Sequence, residues 1–172
     1  MGQLDTKVFR DFSYGLYIIT SGAGGRRNGQ LVNTVIQVTS EPPRVAVTIN
    51  KKNFTHELIK QSKAFGASIL DEAVTMLFLG PFGFRCGRDV DKLTSVEHKT
   101  GITGVPLVTQ NCLGILEARV FAEMDLGTHT IFIGDVVSSE VLRQGNPLTY
   151  RYYHQNLKGK TPPNAPSYQA PQ

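Results

Sequence analysis

Cysteine is scarce in this chain. Cys86 and Cys112 are the only two in 172 residues, and they do not share a CxxC spacing, which excludes a zinc ribbon or a thioredoxin-type redox motif. The four histidines (His56, His98, His129 and His154) are scattered and form no HExxH pattern, so no sequence-local metal site is expected. No stretch approaches the ~18 consecutive apolar residues of a membrane span, and the N-terminus has no apolar signal core. The expectation is a soluble, cytoplasmic protein with no membrane association. Lys and Arg exceed Asp and Glu to give a net charge of +4, but no basic run of about five to eight residues exists, and no nucleic-acid partner is expected. So mild an excess suits a small anionic ligand, an acidic partner or simply a basic surface.

What is present is ordinary for a folded domain. Hydrophobic residues make up 40% and charged residues 19% of the chain, which argues against disorder and for one domain with a sizeable core. The exception is the segment from Thr161 to Gln172, which holds four of the nine prolines and no charge. It is expected to form an extended arm or linker rather than a core element. The organisation expected is therefore a domain over 1–160 and an arm over 161–172.

The segment TSGAGGRRNGQLVNT (Thr20 to Thr34) gathers four glycines beside two arginines and invites a phosphate-binding reading. A dinucleotide fingerprint needs G-x-G-x-x-G between a strand and a helix. Gly22 and Gly24 fit, but Arg27 stands at the sixth position, a P-loop Gly-Lys-Ser/Thr is missing, and a β-branched, alternating segment follows. The glycines are expected to make a hairpin loop, with Asn28-Gly29 supplying its left-handed residues. Further strands are expected at Leu16 to Thr20, over QLVNTVIQVTS, at RVAVTIN and at AFGASIL, with two long alternating segments around Leu126-Gly127. Short helices are expected at VFRDF, at NFTHELIKQS with Asn53 as N-cap, and over EAVTMLFLG, the last ending at Gly80-Pro81. Strands outnumber helices, so the fold class expected is mainly β, a single antiparallel barrel with a few short helices.

Several residues stand out chemically. Lys51 and Lys52 precede the helix start at Asn53 and Thr55, where free N–H groups and the helix dipole favour a phosphate; a capped surface helix with solvated lysines reads the same way. Asn33, Gln37 and Thr39 share a strand face, which suits either water or a planar ligand rich in donors and acceptors. His129 sits on an alternating strand, where a structural or a functional role is open. Cys86 between Arg85 and Arg88 could be an activated thiolate or an inert thiol. The aromatic cluster Tyr150, Tyr152, Tyr153 and His154 suits ring stacking, core or interface packing.

Taken in order, SYGLYIITS, NGQLVNTVIQVTSEPPRVAVTINKKNFTHELIKQSKAFGASIL, FGFR and GTHTIFIGDVVSSEVL resemble the flavin reductase-like family with its FMN-binding split barrel. The resemblance runs from about Phe9 to Lys160. GLYIITS, NTVIQVTS, FGFR and KTGITGVPLVTQ are similar to the archaeal ferric reductase branch and to the flavin domain of high-molecular-weight rubredoxins. It implies a homodimer with FMN near the subunit boundary. Asn33, Thr34, Val35 and Gln37 would meet the isoalloxazine and ribityl part. Thr48, Ile49, Asn50, Lys51, Asn53 and Thr55 would surround the phosphate, and Phe84 and Arg85 would close over the site. His129 and Arg85 would help place the nicotinamide of NAD(P)H, the two residues expected to matter most for catalysis. Arg26, Arg27, Arg85 and Arg88 are all candidates to meet a 2′-phosphate. The implied acceptors are free flavin, ferric complexes or a redox protein such as rubredoxin. Rubredoxin fusions carry paired CxxC motifs that this sequence does not contain, while GKTPPNAPSYQAPQ resembles the linker that precedes them. An FMN module reduced by another protein and a flavin-free protein of the same fold are the alternatives.

Overall fold

A computed structural model describes residues 5–168. After a 3-10 turn at Thr6–Asp11 the chain forms β1 (Tyr17–Ala23), β2 (Arg26–Val32), β3 (Val35–Ser40), β4 (Pro43–Asn50), α1 (Phe54–Ser62), β5 (Ala64–Leu70), α2 (Met76–Phe84), β6 (His98–Thr100), β7 (Pro106–Val108), β8 (Cys112–Asp125), β9 (His129–Val141) and α3 (Tyr150–Gln155).

One antiparallel sheet runs in the order β2-β1-β5-β8-β9-β4-β3, and β6 and β7 pair separately. The two outermost strands of the large sheet are consecutive in the chain. Laid flat, seven strands would span about 29 Å. Val32 and Val35 are three residues apart and can stand no more than about 11 Å from one another. The sheet therefore curls until its edges meet at Asn33 and Thr34, a barrel split along one seam.

The β1–β2 hairpin is present, but its turn is Gly24-Gly25, not Asn28-Gly29. Both glycines have positive φ (57° and 74°), as a tight hairpin between right-twisted strands demands. Asn28 and Gly29 lie inside β2, paired with Ser21 and Thr20. The expected single strand QLVNTVIQVTS is in fact two, divided by the seam. α2 also differs: Thr75 caps it, its Oγ1 accepting from Phe78 N, and it continues through Pro81 to Phe84. Burial of Phe78, Leu79 and Phe82 outweighs the local cost of an interior proline.

Alternation sends the two sides of β1 into different cores. Ile19 joins Val45, Val47, Ile49, Phe65 and Phe132 inside the barrel, which α1 plugs with Ile59. Ile18 joins Leu16, Leu70, Leu79, Phe82 and Tyr153 in a second cluster. Glu117, 1% exposed, ties the loop before β7 to β8 by accepting from the Ile102 and Thr103 amides and the Thr103 hydroxyl. Burial acts to raise the Glu117 pKa; those hydrogen bonds and Arg119 outweigh it and hold the carboxyl below its usual range. Among the described residues no helix is long and apolar enough to cross a membrane.

Candidate functional site

The seam opens onto a cavity of about 610 Å³, within the usual range for a small-molecule site. Its walls come from separate parts of the chain: Leu16, β2 and Asn33, the end of β4, the start of α1, the end of α2 with the following loop, Lys92, α3, and Thr161 to Pro166. Leu16, Phe82 and Tyr153 make apolar ground, and the amides of Asn28, Gln30, Asn33, Asn50 and Asn53 are set around it.

Of the residues expected at a flavin site, Asn33, Thr48, Asn50, Asn53, Phe84 and Arg85 line this one cavity. Thr34 stands at the seam, its Oγ1 donating to Thr48 O at 3.2 Å. Thr55 is buried one layer behind and accepts from Asn28 Nδ2 at 2.8 Å. His129 is at the rim: it pairs with Asn50 across β4 and β9, and its Nε2 donates to Asn164 O at 3.2 Å. Thr34, Thr55 and His129 thus stand beside the lining and not in it, and four more residues also lie outside it. Ile49 faces the barrel interior, and Val35 packs against that cluster from the seam side. Gln37 is exposed and donates to Thr39 O, and Lys51 is exposed and paired with Asp125. Asn53 does sit at the N-cap position of α1, but its side chain makes no cap bond and accepts from Asn164 Nδ2 at 3.4 Å.

Lys92 belongs to the site and had no signal in the sequence, since it lies in the irregular stretch after α2. It is 3% exposed, its Nζ donates to Gly29 O at 2.9 Å, and burial lowers its pKa to about 8. Among the described residues it forms no ion pair with a carboxylate. Asn28 lies in β2 and not in the turn that its Asn-Gly chemistry suggests. Its Oδ1 and the Oε1 of Gln30 are buried without a hydrogen-bond partner among the described residues, and such oxygens are costly unless a donor reaches them. The cavity thus combines a buried ammonium without a carboxylate partner among the described residues, a ring of amides and an apolar floor.

Of the cysteines, Cys86 is exposed at the cavity wall. Cys112 is buried, and burial pushes its thiol up to about 12, which keeps it protonated. The described residues contain no cluster of three or more His, Cys, Asp or Glu able to hold a metal.

The sequence profile described as "Flavin reductase like domain" matches residues 9–159. The chain belongs to the flavin reductase-like family. This family member is 50% identical over 165 residues to the ferric-chelate reductase (NAD(P)H) of Archaeoglobus fulgidus, covering 96% of this chain and 98% of that one. It is 47% identical over 165 residues to the high molecular weight rubredoxin of Moorella thermoacetica, covering 96% of this chain and 72% of that one. Among solved structures, the FMN-binding protein of Thermus thermophilus superposes with a TM-score of 0.72 at 25% identity, covering 83% of this chain and 78% of the other. This flavin reductase-like protein is an oxidoreductase with the antiparallel split barrel of its family.

Proposed function

We propose that the chain is an FMN-dependent reductase that takes a hydride from NAD(P)H and passes electrons to free flavin, a ferric complex or a redox protein. The observation that carries this is the make-up of the cavity at the seam. Its apolar floor suits a planar heterocycle, its ring of amides suits the ring's polar edge and a hydroxylated chain, and the buried ammonium of Lys92 suits a phosphate. The residues fit FMN on all three counts.

In this reading Asn33 and Asn50 orient the ring, Thr48 borders it, and Asn53 with the first turn of α1 meets the phosphate beside Lys92 and Lys52. Thr55 acts indirectly by holding Asn28. FMN supplies a two-electron acceptor that accepts a hydride without a protein nucleophile. The protein's own work is positioning: His129 at the rim and Arg85 in the cavity wall hold a nicotinamide nucleotide, and Phe84 shields the floor from water. The A. fulgidus relative, a ferric-chelate reductase that uses NAD(P)H, supports the same reading.

The homodimer belongs to this proposal. Register places Ile36, Ala46, Ile133 and Ala122 in one row across β3, β4, β9 and β8, on the face opposite the barrel interior. Ile36 is 62% exposed, with Phe121, Met124 and Leu126 exposed on the same strands or at their end. An apolar face of this kind marks an interaction surface, and a second copy is its proposed occupant.

The Moorella relative favours a second reading, an FMN module reduced by another protein. Mixing the FMN-loaded protein with NADH or NADPH without oxygen separates the two. Loss of flavin absorbance within minutes supports the reductase; persistent absorbance with both nucleotides sinks it.

A further inference from the structure

We infer that the segment from Thr161 to Ser167 is a displaceable door across the mouth of the cavity, and that ligands reach the end marked by Asn33 and His129 only when it lifts. The inference rests on the FMN reading of the cavity.

The segment has no helix or strand, yet it does not trail into solvent. Thr161 and Ser167 meet Tyr150 and His154 of α3, and three further contacts reach the seam, β9 and the start of α1. Asn33 Nδ2 donates to Ser167 Oγ at 2.7 Å, His129 Nε2 donates to Asn164 O at 3.2 Å, and Asn164 Nδ2 donates to Asn53 Oδ1 at 3.4 Å. These are three of the polar groups assigned above to the coenzyme and the nicotinamide. The segment thus satisfies with its own atoms the donors and acceptors that a ligand would use.

Its root is fixed. Gly159 N donates to Tyr153 O, Tyr153 Oη donates to Lys160 O at 3.0 Å, and His154 Nδ1 donates to Gly159 O at 2.9 Å. A Cβ on Gly159 would stand 2.0 Å from the Tyr153 ring, so only glycine allows this approach. Beyond the root, order comes from two local turns, Ala165 N to Pro162 O and Tyr168 N to Ala165 O, and from prolines that restrict the backbone. The segment carries no charge, so its hold is a handful of neutral hydrogen bonds and is easily exchanged. A fixed root, a stiff body and a weakly held far end are the parts of a hinged door, and the cavity of about 610 Å³ remains open beneath it. Residues 169–172 of the expected arm lie outside the described residues.

The test is the kinetics of FMN entry and exit, measured by mixing apoprotein with FMN and by trapping FMN released from the loaded protein. Three proteins are compared: the full chain, a chain ending at Lys160, and the full-length double variant Asn164→Ala, Ser167→Ala, which keeps the segment should the shortened chain misfold. A door predicts that both association and dissociation accelerate, by roughly ten-fold in the shortened chain, because closing gates each direction. Dissociation alone accelerating would show a fixed wall and overturn the inference, as would unchanged rates. FMN binding to none of the three would overturn the coenzyme reading itself, and the door with it.

Discussion

Asn50 and His129 face each other across the β4–β9 ladder, with Asn50 Nδ2 3.5 Å from His129 Nε2. The pair brings a cavity amide and a rim imidazole to one spot, and backbone register fixes it. His129 Nδ1 lies 2.8 Å from the Thr128 hydroxyl. With Nε2 donating to Asn164 O, Nδ1 is the acceptor of that hydroxyl in the neutral ring, so both ring nitrogens are held.

Replacing His129 with alanine should leave FMN bound and slow its reduction by NAD(P)H by roughly ten- to hundred-fold, the scale for loss of a positioning contact. Anaerobic stopped-flow measurement of flavin absorbance reads this directly. Wild-type rates would remove His129 from the mechanism.

Lys92 should set the preference for FMN over riboflavin, which differ only by the phosphate. A charged hydrogen bond contributes about 1.5–3 kcal/mol, so Lys92→Met should narrow the affinity ratio roughly ten- to hundred-fold. Riboflavin binding should change little. Since burial lowers this lysine to about 8, its ammonium is lost in the free protein as pH rises past that value. FMN affinity should therefore weaken from pH 7 to pH 9 in the wild type and lose most of that slope in the variant. Equal losses for both ligands would assign Lys92 to structure alone.

Glu117 predicts a pH-dependent stability. Its carboxyl is held below its ordinary value in the folded chain, so its contribution is complete above the unfolded pKa and is lost as pH falls through the lower, folded one. Glu117→Gln should lower the melting temperature by a few degrees at neutral pH, about 1–2 kcal/mol for a chain of this size, and by less at pH 3. Thermal unfolding at the two pH values checks this; an equal deficit at both contradicts it.

Ile36→Lys places a charge on the exposed member of the apolar row, at its β3 end. If that face joins two copies, the variant should be monomeric by light scattering where the wild type is dimeric, with its far-ultraviolet circular dichroism unchanged. A monomeric wild type would remove the dimer from the proposal.

Where local chemistry decided the outcome, the sequence was readable. AFGASIL forms β5 with the expected ends, because a β-branched and small-residue run is bounded by the left-handed Lys63 on one side and Asp71 on the other. α1 starts after Asn53, where the sequence places it, although the Asn53 side chain makes no cap bond. What was not readable depended on distant partners. Asn28-Gly29 has turn chemistry, but Asn28 is claimed by Thr55 and Gly29 O by Lys92, while Gly24-Gly25 serves the turn. The division at Asn33-Thr34 follows from curling the whole sheet, which no local window contains. Lys92 could not be distinguished from any surface lysine until the fold buried it. The return of Thr161 to Ser167 onto Asn33 and His129 was not legible either.

The interior of the barrel is already full. Of the side chains that fill it, only Val32 also borders the cavity. Barrel packing and ligand contact are thus written on two nearly separate sets of residues, whereas the second cluster shares Leu16, Phe82 and Tyr153 with the cavity floor. A protein engineer could diversify the amides, the lysine and the proline segment to recruit a different chromophore while leaving the melting behaviour to the filled interior.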